Sequence, residues 1–120
     1  MIFTSYFAKL KKLPPDVVPI SICGKAPDWY SGLQYKKLAP KYHFFAEWKR
    51  THDNVYYIEH FEREVLAELD ADTVFDELSA MSGGKTFALI CYERPDDFCH
   101  RHLVADWLCK NGYRCEEIDI

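Results

Sequence analysis

Apolar positions recur along the chain at two spacings, which divide it into strand-like and helix-like stretches. The opening Ile2-Phe3-Thr4-Ser5-Tyr6 is short, apolar and β-leaning, and predicts a first strand. Phe7 to Leu13 reads as a short helix stopped by Pro14-Pro15. Asp16 to Ile22 reads as a second strand, although Pro19, with no N–H to donate, suits a central ladder poorly. Gly24 to Pro40 follows neither period and reads as a long surface loop, a kind of segment that often carries function.

Tyr42 to Lys49 is expected to be helical, and Thr51-His52-Asp53-Asn54 supplies a turn with capping residues. Val55 to Leu69 is an amphipathic helix in which Tyr57, Ile58, Phe61, Val65, Leu66 and Leu69 repeat at three and four residues and form one buried face. Asp72 or Thr73 caps a further helix through Met81, which Gly83-Gly84 ends. The run Thr86 to Tyr92 is apolar on both faces, as a central parallel strand should be. After the loop Glu93 to Asp97, Phe98 to Lys110 is expected to be a helix with Leu103, Val104, Trp107 and Leu108 facing inward, and Tyr113 to Ile118 alternates as an outer strand.

Strand, helix, strand in this order implies a right-handed crossover. The expected fold is therefore α/β: one three-layer, Rossmann-like domain over residues 1–120 with a mostly parallel central sheet. Ligands bind such sheets at the carboxyl edge of the strands. Cys91 stands at that edge, where the central strand hands over to a helix.

Composition changes the picture in three places. With 48% hydrophobic residues in 120, the chain can build a core without metal or disulfide staples. No stretch approaches the ~20 apolar residues of a membrane helix, and Met1 to Ser5 lacks an export pattern, so no membrane contact and a cytoplasmic location are expected. Five cysteines (Cys23, Cys91, Cys99, Cys109 and Cys115) are an odd number, and in such a chain they read as reduced thiols. The net charge of −4 hides an asymmetry: residues 1–58 carry nine Lys and Arg against four acids, and residues 59–120 six against fifteen. A basic, aromatic half points toward nucleic acid or nucleotides, and overall acidity works against long-range attraction to them.

Chemistry concentrates in Cys91-Tyr92-Glu93-Arg94-Pro95-Asp96-Asp97-Phe98-Cys99-His100-Arg101-His102. Pro95 and the aspartates suit a first helical turn, whose free N–H groups form an anion site. A strand ending in cysteine, an acid soon after it, and a Cys-His-Arg triplet opening a helix resemble the domain of unknown function 488 family, through Cys91, Glu93, Cys99, His100 and Arg101. Leu38-Ala39-Pro40, the helix from Tyr57 to Leu69 and Phe3-Thr4-Ser5 extend the likeness over nearly the whole chain. The resemblance implies a compact α/β fold with both cysteines near one crevice.

Four readings of the segment stay open. Cys99 is a nucleophile or redox thiol, its pKa lowered by a helix N-terminus and nearby cations, with His100 or His102 as base. Alternatively Arg101, Arg94 and helix N–H groups hold a phosphate while Trp29, Tyr30 or Tyr92 stacks on a base, with Tyr35 to Arg50 extending the surface. In a third reading Cys91, Cys99 and His102 bind zinc, since positions 99 and 102 share a helix face and His100 points about 100° away from Cys99. In the last, the cysteines and His100 are buried structural groups and Arg101 pairs with Glu93 or another acid.

The leading expectation is a nucleotide- or nucleic-acid-related enzyme or sensor with an anion-binding crevice. Cys99 and His100 are its reactive pair, with Cys91 beside them and Glu93 orienting the imidazole, while Arg101 and Arg94 hold the anion. The ligand is a small anion, a nucleotide or a nucleic acid, and the chain names no cofactor. A protein-interaction module with structural cysteines, or a zinc-binding domain, is the alternative.

Overall fold

A computed structural model describes residues 1–120. Five strands form one all-parallel sheet: β1 (Ile2–Tyr6), β2 (Val18–Ser21), β3 (Leu33–Gln34), β4 (Phe87–Cys91) and β5 (Cys115–Glu117), in the order β3-β2-β4-β1-β5. Four α-helices accompany them: α1 (Tyr42–Thr51), α2 (Asn54–Glu64), α3 (Ala71–Met81) and α4 (His100–Lys110). The expected α/β class and Rossmann-like layering hold. None of the helices is long and apolar enough to cross a membrane.

β4 is the buried centre. All five of its residues are inaccessible, and it pairs with β2 through Val18↔Phe87 to Ser21↔Ile90 and with β1 through Phe3↔Ala88 to Tyr6↔Cys91. Two-residue alternation sends its side chains to both faces. Phe87 and Leu89, with Ile2 and Ile20, join the 17-residue cluster under the helices, while Ala88 and Ile90 join a 7-residue cluster with Phe7, Val17 and Cys23. Right-handed crossovers account for the inequality. Connections running back across the sheet, β3 to β4 and β4 to β5, carry all four α-helices on one face. Those running outward, β1 to β2 to β3, cover the other with only the 3₁₀ segment Phe7–Lys12 and a loop.

Several local expectations are corrected. Pro19 does lie in an internal strand, because β3 is only two residues long and meets β2 no earlier than Ile20↔Leu33, so no ladder acceptor waits for the missing N–H. The loop Gly24 to Pro40 contains β3 and a 3₁₀ turn at Lys36–Leu38. The helix expected over Val55 to Leu69 ends at Glu64 and continues as a 3₁₀ turn at Leu66–Glu68, yet Tyr57, Phe61, Val65 and Leu66 are still buried. Asp70, not Asp72 or Thr73, caps α3 by accepting the Thr73 N–H. Gly83 and Gly84 end that helix at φ +67° and +78°, a region that a side chain would strain.

Phe61 is wholly buried between Phe44, Tyr57 and His100, so it couples the helical layer to the start of α4. Phe61→Ala is expected to cost about 3–5 kcal/mol, measured as a lower urea midpoint with an unchanged slope.

Candidate functional site

The chain leaves β1 and β4, which are neighbours, in opposite directions across the sheet, β1 toward β2 and β4 toward β5. Such a divergence leaves a crevice at the carboxyl edge. At the same edge, over the ends of β2 and β4, the structure holds a cavity of about 390 Å³ lined by Cys23 and Lys25 after β2, Phe45, Trp48 and Lys49 of α1, Tyr57 of α2, and Cys91, Tyr92, Glu93, Phe98, Cys99 and His100. Phe98 seats between Trp48 and Tyr57, with ring centroids 5.4 and 5.0 Å away, and Tyr92 is tied down by its hydroxyl, which donates to the Lys25 carbonyl at 2.6 Å.

The helix expected from Phe98 begins two residues later. Arg94 to Asp97 close a turn of their own through the Asp97 N–H and the Arg94 carbonyl, and Cys99 stays extended at φ −155° as the N-cap of α4. Its sulfur takes the Arg101 N–H at 3.5 Å, where an oxygen cap would sit closer. Because Cys99 precedes the helix, the helical wheel does not govern it. His100, expected to point away, faces the thiols instead, and His102, the imidazole of the zinc reading, lies outside the cluster with its Nε2 buried and unpartnered.

Cys91, Cys99 and His100 are all buried. The Cys99 thiol approaches Cys91 Sγ at 2.6 Å, His100 Nδ1 lies 3.6 Å from Cys91 Sγ, and the Glu93 carboxylate lies 3.1 Å from the same sulfur. His100 Nε2 meets the Ile22 carbonyl at 2.8 Å. A carbonyl only accepts, so Nε2 carries the hydrogen, and it is Nδ1 that faces Cys91, as a lone pair in the neutral tautomer. Cys91 has one proton to give, and both the carboxylate and Nδ1 are placed to take it.

The first reading expected a lowered thiol pKa, and the surroundings produce the reverse. The neighbouring Cys23 thiol above all, together with burial and the Glu93 charge, holds Cys91 well above the ordinary thiol value and outweighs its bond to Cys99. Burial, then the bond to Cys91, pushes Cys99 upward and overrides the opposing influence of His100. Metal-free and reduced, both thiols are protonated near neutrality.

Arg101 is not in the crevice. Its guanidinium is fully buried, donating from Nε and Nη2 to both Glu117 oxygens at 3.1 and 3.0 Å and from Nη1 to the Glu93 carbonyl at 2.7 Å, with Tyr6 beneath it. These bonds occupy the donors that were expected to hold an anion. Arg94 is exposed outside the cavity, and Trp29 and Tyr30 pack on Phe7 on the other face of the sheet. Of the expected ligand-binding residues only Tyr92 lines the crevice. Its cations are Lys49, which lies in the Tyr35 to Arg50 stretch expected to extend the surface, and Lys25, which the sequence reading missed although it stands four residues past the end of β2. Missed as well is a cluster on the outer side of α1 and α2, where Glu64 accepts from His43 and His60 and its carboxyl is held down to about 2 by those bonds. The four-residue spacing of His60 and Glu64 on one helix is the signal for it.

The family model DUF488-N3a, described as the active DUF488-N3 subclade, matches residues 7–112. No curated protein and no solved structure gives a significant match.

Two outcomes follow from this geometry. Glu117→Ala strands a buried guanidinium and is expected to cost about 3 kcal/mol in urea unfolding, whereas Arg114→Ala, at an exposed pair, changes stability by less than about 0.5 kcal/mol. In reduced, metal-free protein at pH 8, iodoacetamide should modify the exposed Cys109 first. Cys91 and Cys99 should react at least about ten-fold more slowly than in the urea-unfolded chain, read by peptide mass spectrometry, because their raised pKa leaves little thiolate.

Proposed function

This chain belongs to the DUF488 family, and from the geometry of its crevice we propose that it is an enzyme or sensor acting on a nucleotide or on nucleic acid, with Cys91, Glu93, Cys99 and His100 as the reactive groups. One observation carries the reading. A single cavity has these four groups at one end, the rings of Phe45, Trp48, Tyr57, Tyr92 and Phe98 along its walls, and Lys25 and Lys49 among its lining residues. Aromatic walls suit the flat faces of a base, and ammonium groups suit phosphate oxygens. About 390 Å³ falls within the range of small-ligand sites and suits a nucleotide or the end of a single strand better than a duplex.

Lysine here takes the place first assigned to arginine. A lysine ammonium binds phosphate as a point charge and without the paired geometry of a guanidinium, which favours tolerance over strict shape selection. Within the cluster, His100 Nδ1 is the base toward Cys91, and Glu93 orients or relays the same proton. Free thiols at a working site suit a reducing compartment such as the cytoplasm.

Calorimetric titration with nucleoside mono- and triphosphates and a short single-stranded oligonucleotide tests the ligand. Dissociation constants in the micromolar range are expected, and Lys25→Ala with Lys49→Ala should weaken binding by at least about ten-fold. Absence of binding by all of them at millimolar concentration would end the reading. Cys99→Ser then separates roles, since an enzyme or thiol sensor loses its response and a simple binding module keeps its affinity.

A further inference from the structure

We propose that Cys91, Cys99 and His100 are the ligands of one zinc-class divalent ion whose fourth coordination position opens into the crevice. The inference rests on the reading of these side chains as the working groups of the site, and it needs no nucleotide. Their three ligand atoms lie within 4.8 Å of one another, and all three residues line the cavity. Tetrahedral zinc, with Zn–S near 2.3 Å and Zn–N near 2.0 Å, spaces sulfur from nitrogen by about 3.6 Å and sulfur from sulfur by about 3.8 Å. Cys91 Sγ and His100 Nδ1 already stand 3.6 Å apart. The sulfurs, at 2.6 Å, must part by about 1 Å, and the less tied of the two is Cys99, whose only other hydrogen bond is the 3.5 Å cap to the Arg101 N–H.

The orientation of His100 is the second observation. A ligating imidazole commonly donates its other N–H to a backbone carbonyl or a carboxylate, which fixes the tautomer and aims the ring. Here Nε2–H is bonded to the Ile22 carbonyl and Nδ1 is left as a lone pair among the thiols. Two sulfurs and an imidazole are a soft set that selects zinc over magnesium or calcium. Charge balances as well: each S–H bond breaks, its electron pair goes to the metal, and two protons leave to solvent, so that two thiolates and a neutral imidazole cancel the dication. With the ion bound, Nδ1 is a ligand and no longer a base, and Glu93, on the same crevice wall, is the group left to take a proton.

Reduced, metal-stripped full-length protein titrated anaerobically with Co²⁺ tests the site. One equivalent should give the thiolate-to-cobalt charge-transfer band and intense visible bands of tetrahedral cobalt, with release of two protons, and Zn²⁺ should bleach both. Cys99→Ser and His100→Ala should each weaken cobalt binding by at least about ten-fold, with folding checked by circular dichroism. His60→Ala should change nothing, because His43, His60 and Glu64 offer no sulfur. Should the buried-site variants unfold, wild-type protein decides: zinc should protect Cys91 and Cys99, but not Cys109, from alkylation. Folded, reduced protein that shows no charge-transfer band, or a band that survives in folded Cys99→Ser, overturns the proposal. A Cys91–Cys99 disulfide that forms in air, in a protein whose re-reduced form still refuses cobalt, overturns it in favour of a redox pair. Cobalt binding without nucleotide binding removes the ligand reading alone, and nucleotide binding without cobalt removes the metal alone.

Discussion

A buried guanidinium holds the start of α4 against the sheet, and the rest of the site depends on that placement. Arg101 reaches across to Glu117 on the edge strand and back to the Glu93 carbonyl after the central strand, while Thr4 donates to the same Glu117 carboxylate. One residue earlier, His100 is tied to the end of β2 through the Ile22 carbonyl. The first turn of α4 is therefore anchored to opposite sides of β4. Removing a buried charge from water is unfavourable unless its partners are in place, so this arrangement tolerates little displacement. The position of Cys99, one residue before His100, follows from it.

With α4 pinned, the crevice acquires two unlike ends. At the floor, two thiols, an imidazole and a carboxylate are crowded together, and the bond from Cys23 to Cys91 and the burial of Cys99 disfavour thiolate and keep the protons on sulfur. Along the walls Phe98, from the segment before α4, is the wedge between α1 and α2, meeting Tyr57 edge to face and Trp48 at a tilt of 31°. A cation arriving at the floor would reverse the local preference, since its charge stabilises the thiolates that burial opposes. A flat anionic ligand along the walls would meet rings and ammonium groups. The two occupants are compatible because they use different atoms of one cavity.

Four of the five strands, the amphipathic helices and the parallel sheet were legible in the chain because they rest on local rules: β-leaning residues in β1, an apolar run in β4, alternation in β5, three- and four-residue repeats around Phe61 and Val104, and paired glycines after α3. The segment holding Cys91, Glu93, Cys99 and His100 was legible too, since those residues lie within ten positions of one another at a strand-to-helix junction. Departures arose where a side chain was assigned a partner across the fold. Arg101 was expected to hold a ligand and Trp29 to stack on one, but a sequence does not say which of two acids, or which face of a sheet, lies opposite a given residue.

By itself, then, the sequence determined the fold class and the segment whose thiols, imidazole and carboxylate come together, because periodicity and junction residues act through the backbone nearby. Tertiary structure decided the membership of the site. It brought in Lys25, Trp48, Lys49 and Tyr57 from segments far away in the chain, turned His100 rather than His102 toward the thiols, and committed Arg101 to Glu117. Those outcomes depend on strand order and on a two-residue delay in where α4 begins, and neither is encoded in any short window. With Cys99 extended ahead of the helix, the 100° per residue of a helical wheel no longer relates it to His100, and the imidazole beside the thiols is His100 and not His102.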